Sequence, residues 1–119
     1  MKKNAEILVK KPKKGGIIVT KINSRIAGYL LYYFVNKRNK ELSKCMFLSE
    51  LYVRIAYRNK GIGTRLIKEA LNTKAPYYIN KFVVTADDKA RRVIKLYKGL
   101  GFSAVGKTKA SNIILKRTK

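Results

Sequence analysis

The chain has 119 residues, with 29 Lys or Arg against 6 Asp or Glu, no His, one Cys and a formal net charge of +23. That length fits one domain with one core, and a 46% hydrophobic content separates the chain from disordered basic tails, which cannot bury enough apolar surface to fold. Without His there is no Ser-His-Asp or Cys-His nucleophile system and no imidazole base, and zinc and iron sites lose their usual nitrogen ligand, so hydrolases and metalloenzymes are excluded and no metal is expected.

In chain order, residues 1–16 read as a basic, flexible segment carrying Lys10, Lys11, Lys13 and Lys14 and punctuated by Pro12 and Gly15-Gly16. Those lysines follow Ile7-Leu8-Val9 at once, so no secretory apolar region forms. The β-branched run Ile17–Ile22 predicts a strand and Asn23-Ser24-Arg25 a tight turn. Ile26–Val35 is apolar on both parities, as in a strand covered on both faces, and completes a hairpin. It is also the longest apolar run, about half of what a bilayer-crossing helix needs, so no membrane association is expected. After a polar loop at 36–44, Met46–Val53 gives a third strand whose only polar members are Ser49 and Glu50. Cys45 beside it reads as a small hydrophobe, and a single thiol suits a reducing, cytoplasmic setting. From Gly61 the period becomes helical, through Ile62, Leu66, Ile67, Ala70 and Leu71, with Pro76 beyond the end. Tyr77–Thr85 reads as a strand. Asp87-Asp88 then opens a second helix with Ala90, Val93, Ile94 and Tyr97 on one face, ended by Gly99 and Gly101. Phe102–Val105 and Ile113–Leu115 are short strands, so the whole predicts a mixed sheet with helices packed on it, as one domain over 1–119.

The most informative stretch runs from the third strand through a basic, glycine-containing loop into the first helix, Leu51 to Leu66. A helix start offers unpaired N–H groups and the positive dipole end, glycines admit close approach, and Arg58 and Lys60 add charge, all of which suit a phosphate. Gly63-Thr64-Arg65 lacks the Gly-Lys-Ser/Thr ending of the nucleoside triphosphate loop, and Leu66 stands where the dinucleotide fingerprint needs a third glycine. Arg58-x-x-Gly61-x-Gly63 remains, with two readings open: an anion site, or glycines placed for tight helix packing.

Tyr57-Arg58-Asn59-Lys60-Gly61-Ile62-Gly63 after the strand ending Leu51-Tyr52-Val53, and then Leu96-Tyr97-Lys98-Gly99-Leu100-Gly101-Phe102, resemble the two hallmark motifs of the GNAT family of acetyl-CoA-dependent N-acetyltransferases. The resemblance implies the GNAT fold, an α/β (α+β) mixed, mostly antiparallel sheet flanked by helices, with acetyl-CoA as the cofactor. It assigns the backbone of Arg58, Asn59, Lys60, Gly61, Ile62, Gly63 and Thr64 to the cofactor pyrophosphate and the strand edge Leu51, Tyr52 and Val53 to its pantetheine arm. Tyr97 matches the family's acid toward the leaving thiolate. Among the six acidic residues, Glu50 is the base to consider: Glu6 and Glu41 lie in flexible segments, Glu69 on the polar side of a helix, and Asp87 and Asp88 read as caps. Glu50 is expected to be partly buried in its apolar strand, which would raise its pKa. The family's asparagine near the second helix is replaced, by Ala90 or the Asp87-Asp88 pair, and Phe82-Val83-Val84-Thr85 lacks the acid some members carry there. With sixteen residues before Ile17, the family's two N-terminal helices are expected to be missing, a short form. An open acceptor side would admit a protein terminus or loop, or be completed by a second subunit in a homodimer.

The charge attracts the polyanionic cofactor and repels free polyamines, which favours an amine on a protein, an N-terminus or lysine, with ribosomal or nucleic-acid-associated substrates in view. The rival reading is a catalytically lapsed, strongly basic protein of the same fold that binds nucleic acid or ribosomes. A third is a regulatory module that senses acyl-CoA.

Overall fold

The computed structural model describes residues 15–38 and 40–119; the basic segment expected at 1–16 lies outside them, apart from Gly15 and Gly16. Six strands are described: β1 (Gly15–Ile22), β2 (Arg25–Val35), β3 (Cys45–Val53), β4 (Lys81–Asp87), β5 (Ser103–Lys107) and β6 (Asn112–Thr118). They form one mixed sheet in the order β1-β2-β3-β4-β6-β5, with helices α1 (Ile62–Leu71) and α2 (Arg91–Gly99). The expected α+β class and mixed sheet are therefore present.

The chain packs as two compact units, and β3 runs from one into the other. The first holds the described residues up to Phe34 and Leu48–Lys74. Its β1 and β2 form an antiparallel hairpin, and Asn23 and Ser24 take φ of 52° and 66°, the two left-handed residues that a two-residue hairpin turn needs. Gly15 and Gly16 do not punctuate: they pair with Tyr33 and Tyr32, and a side chain on either would strike Tyr32. Ala27 through Leu31 are buried in succession, as the two-parity apolar run predicts. Gly28 lets β2 approach closely, since a Cβ there would sit 2.7 Å from the Tyr52 carbonyl. Helix α1 packs against β1 and buries Ile62, Leu66, Ile67 and Ala70, the face its period predicts.

The second unit holds Val35–Phe47 and Ala75–Lys119. There β4 pairs in parallel with Cys45–Phe47 and antiparallel with β6, which also carries β5. Cys45 is fully buried at the start of β3, and burial pushes its thiol up to about 11. The strand expected over 77–85 begins only at Lys81, because the Ile79 N–H closes a turn on the Pro76 carbonyl and leaves Tyr77 99% exposed. Its far end runs on to Asp87, paired with Asn112. Asp87 and Asp88 are consequently not helix caps. The Asp87 Oδ1 accepts the Lys89 N–H at 2.8 Å, Asp88 pairs with Lys107 at 3.2 Å, and α2 starts later, after Ala90. Val93 stands 38% exposed, outside the buried face expected of it.

Candidate functional site

The loop between β3 and α1 is a single 3₁₀ turn (Ile55–Tyr57) followed by two left-handed residues, Asn59 (φ 62°) and Gly61 (φ 78°). Asparagine tolerates that region and glycine enters it freely, which is why those residue types suit those places. The Tyr57 and Arg58 N–H groups are taken by the Arg54 and Ile55 carbonyls, and the first helical bond runs from the Arg65 N–H to the Gly61 carbonyl. Among the hydrogen bonds of the described residues, none engages an N–H from Asn59 to Thr64, and the cap position at Gly61 has no side-chain bond. Helix α1 thus begins with a row of free donors at its positive end. The expected row loses Arg58, whose amide is spent within the turn.

The glycines separate the two readings that the sequence leaves open. A Cβ at Gly61 would meet nothing within 4 Å, and one at Gly63 would make only ordinary contacts of 3.8 Å with Leu51 and Val53. Tight helix packing requires neither. Gly61 answers to its φ and to open space beside the free amides, the condition for an anion to approach the main chain.

Arg58 has a second employment. Its Nε–H donates to the Val53 carbonyl at 2.8 Å, which ties the loop to the end of β3. The ladder between β3 and β4 covers three residue pairs, ending at Phe47–Val83, so β3 from Leu48 onward has no ladder partner on that edge among the described residues. Leu51, Tyr52 and Val53 lie there, half-buried, with the Val53 carbonyl occupied by Arg58.

Glu50 is on the same strand, but its expected partial burial fails: the side chain is exposed. Ser49 and Glu50 are the two exposed positions of the strand, between buried Leu48 and half-buried Leu51. Its Oε2 accepts a 2.6 Å hydrogen bond from the Tyr29 hydroxyl of β2. Tyr29 is buried beside Leu31, with Ile17, Tyr33 and Tyr52 packed against the pair and the Tyr52 ring centroid 5.6 Å away. Burial first, then the bond to Glu50, pushes the Tyr29 phenol up to about 12. Nothing in the sequence singles out Tyr29, one of three tyrosines in an apolar run.

Tyr97 belongs to the second unit. The Phe102 N–H donates to the Tyr97 carbonyl and the Gly101 N–H to the Lys98 carbonyl, with Gly101 at φ 93°, which is a Schellman ending of α2. The Tyr97 and Phe102 rings close it at 5.1 Å, edge to face. The Tyr-x-x-x-Gly-Phe spacing therefore has a structural reason of its own. Tyr97 is 2% exposed, and burial pushes its phenol up to about 12.

The profile of the acetyltransferase (GNAT) family matches residues 2–102. The chain belongs to the GNAT family. It is 32% identical over 78 residues to the thialysine N-epsilon-acetyltransferase of Mus musculus, a match covering 66% of the chain and 45% of that protein, so the chain spans about half the length of the curated relatives it matches. Among solved structures it superposes on the IAA acetyltransferase of Bacillus cereus with a TM-score of 0.75 at 18% identity, covering 100% of this chain and 93% of that one. The PaiA N-acetyltransferase of Thermoplasma acidophilum, solved in complex with coenzyme A, gives 0.74 at 17% identity over 98% of this chain and 68% of that one. These two likenesses show the GNAT fold. The first unit brings Glu50, Leu51–Val53 and Arg58–Thr64 onto one strand-loop-helix segment, and Tyr97 lies in the other unit.

Proposed function

We propose that this GNAT chain is an N-acetyltransferase that moves the acetyl group of acetyl-CoA directly to a primary amine, one carried by a protein as an N-terminus or lysine. The observation that carries the reading is the row of unengaged amides from Asn59 to Thr64 with open space beside Gly61. Those residues fit a diphosphate: donors without acceptors, a left-handed glycine without a side chain, a helix start and the Lys60 charge.

When bound, acetyl-CoA supplies a thioester whose carbonyl carbon an amine can attack. The amides 59–64 would hold the diphosphate, with Arg58, bonded to the Val53 carbonyl, fixing the loop to the end of the strand. The edge of β3 at Leu51–Val53, its Val53 carbonyl taken by Arg58, would receive the amide-containing arm as an added strand and so orient the thioester. The acceptor arrives as an ammonium and must lose a proton before it is a nucleophile; Glu50, exposed beside that edge, takes it. Tyr97 matches the family's acid, and its part would be a hydrogen bond to the departing sulfur. A phenol near 12 stays protonated at neutral pH. Against an alkyl thiol of about 8.5, full proton transfer from it is uphill, so its contribution is hydrogen bonding to developing charge.

The surface charge favours an amine on an acidic or neutral body over a free polycation, which is the support for a protein acceptor. A cytoplasmic setting suits the free, buried Cys45. The test is release of coenzyme A thiol from acetyl-CoA with a lysine-containing peptide, a free-amine N-terminal peptide and thialysine as separate acceptors. Turnover is expected with a peptide, and turnover with thialysine alone would replace the protein acceptor by a small one. The second reading, a lapsed enzyme of the same fold that binds nucleic acid or ribosomes, rests on the +23 charge and the fully exposed Tyr77 ring. It predicts no turnover with any acceptor and RNA binding that weakens steeply with salt.

A further inference from the structure

We infer that Tyr29 is a positioning residue for the transfer reaction: its hydroxyl holds one oxygen of Glu50 so that the other is presented to the acceptor ammonium. The inference rests on the reading of Glu50 as the proton acceptor. An exposed glutamate on a strand edge samples several rotamers, and a base that must meet a proton at hydrogen-bond distance loses rate with each unproductive one. Here the Tyr29 O–H donates to Oε2 at 2.6 Å, a length typical of a hydrogen bond to a charged oxygen. The donor itself does not wander. Tyr29 is buried on the central strand of the first unit, its ring seated with Leu31, Ile17 and Tyr33 and against Tyr52.

A carboxylate so held retains Oε1 for the incoming N–H⁺. The first proton would pass from the ammonium to Oε1, freeing the nitrogen lone pair to form the C–N bond; the C–S bond pair would leave with sulfur, and the second proton, shed by the acylated nitrogen, would go to the departing thiolate, giving amide and free thiol. Tyr29 keeps its own proton throughout; at about 12 it does not titrate in the working range. Tyr29 also differs from Tyr32 and Tyr33 in the same run, for which no bond to a carboxylate is found among the described residues.

The experiment is a double-mutant cycle on Tyr29→Phe and Glu50→Gln, with kcat and the KM for acetyl-CoA measured on the peptide acceptor. Tyr29→Phe keeps the ring and removes only the donor. The expected result is a fall in kcat of about tenfold or more with the KM for acetyl-CoA unchanged, and a double variant no slower than Glu50→Gln alone, because the two act as one unit. A purely structural tyrosine would instead slow the double variant further. Full activity of Tyr29→Phe, or additive losses, overturns the inference and leaves Glu50 as base. Full activity of Glu50→Gln, or a wild type that turns over no acceptor, overturns the underlying reading and this one with it. Should Tyr29→Phe fail to melt cooperatively, Glu50→Asp in the intact background decides: drawn back by one methylene, its carboxylate loses the Tyr29 hydroxyl, and an undiminished kcat contradicts the proposal.

Discussion

Gly61, Tyr97 and Cys45 carry the predictions that belong to single side chains. Replacing Gly61 by Ala forces an L-residue to φ 78° and points a methyl into the space that the diphosphate would occupy. It should cost about 1 to 2 kcal/mol of stability and abolish stabilisation by acetyl-CoA, whereas Gly63→Ala, with a Cβ at ordinary contact distance, should lose little stability. Thermal melting of both variants with and without acetyl-CoA checks this. Tyr97→Phe retains the ring contact with Phe102 that closes α2, so only the hydroxyl is removed. It should slow transfer while leaving acetyl-CoA affinity and melting temperature near wild type; a fully active variant would assign Tyr97 to packing alone. Cys45 is buried with a thiol near 11, so alkylation should proceed only at the rate of chain opening, which a denaturant series of labelling kinetics reads out.

At the scale of elements, α1 is held by the face that its sequence period advertises, and Leu66→Ala should destabilise by about 3 kcal/mol, measured by chemical denaturation. The sheet and both helices were legible because apolar period and turn residues agree there: the hairpin at Asn23-Ser24, the doubly covered β2, the Ile62–Ala70 face and the Tyr97-to-Phe102 ending. The misreadings share a cause, local hydrogen bonds competing with the helix or strand. Asp87 and Asp88 look like caps by type, yet Asp87 stays in the ladder and folds its carboxylate onto the Lys89 amide, which delays α2. Tyr77 and Tyr78 have strand propensity, yet the turn from Pro76 takes them out of the sheet. In the site, the loop's free amides follow from Gly61 and the helix start, and sequence suffices for them. Tyr29 reaching across to Glu50 depends on strand register between segments distant in sequence, which no local pattern encodes, and Arg58 reaching back five residues to the Val53 carbonyl depends on the path of the intervening turn.

For the molecule as a whole, charge and titration set two expectations. Tyr29 and Tyr97 each rise from 10.0 to about 12, so below pH 10 folded and unfolded chains hold those protons alike. Between about pH 10 and 12 the unfolded chain releases them and the folded chain does not, and stability should fall by about 1.4 kcal/mol per pH unit for each phenol. Tyr97→Phe should remove one share of that slope in pH-dependent denaturation. The second expectation concerns the +23 charge, which should make association with a tetra-anionic nucleotide thioester fast and salt-sensitive without fixing where it binds. Site and charge are separable in one titration. Isothermal calorimetry of acetyl-CoA against the wild-type chain and Gly61→Val, at low and moderate salt, tests the central claim that the amides of 59–64 grip the diphosphate. One site per chain that survives moderate salt and vanishes in Gly61→Val is the predicted result. Equal affinity in the two proteins, or heat that disappears with salt in both, would contradict it.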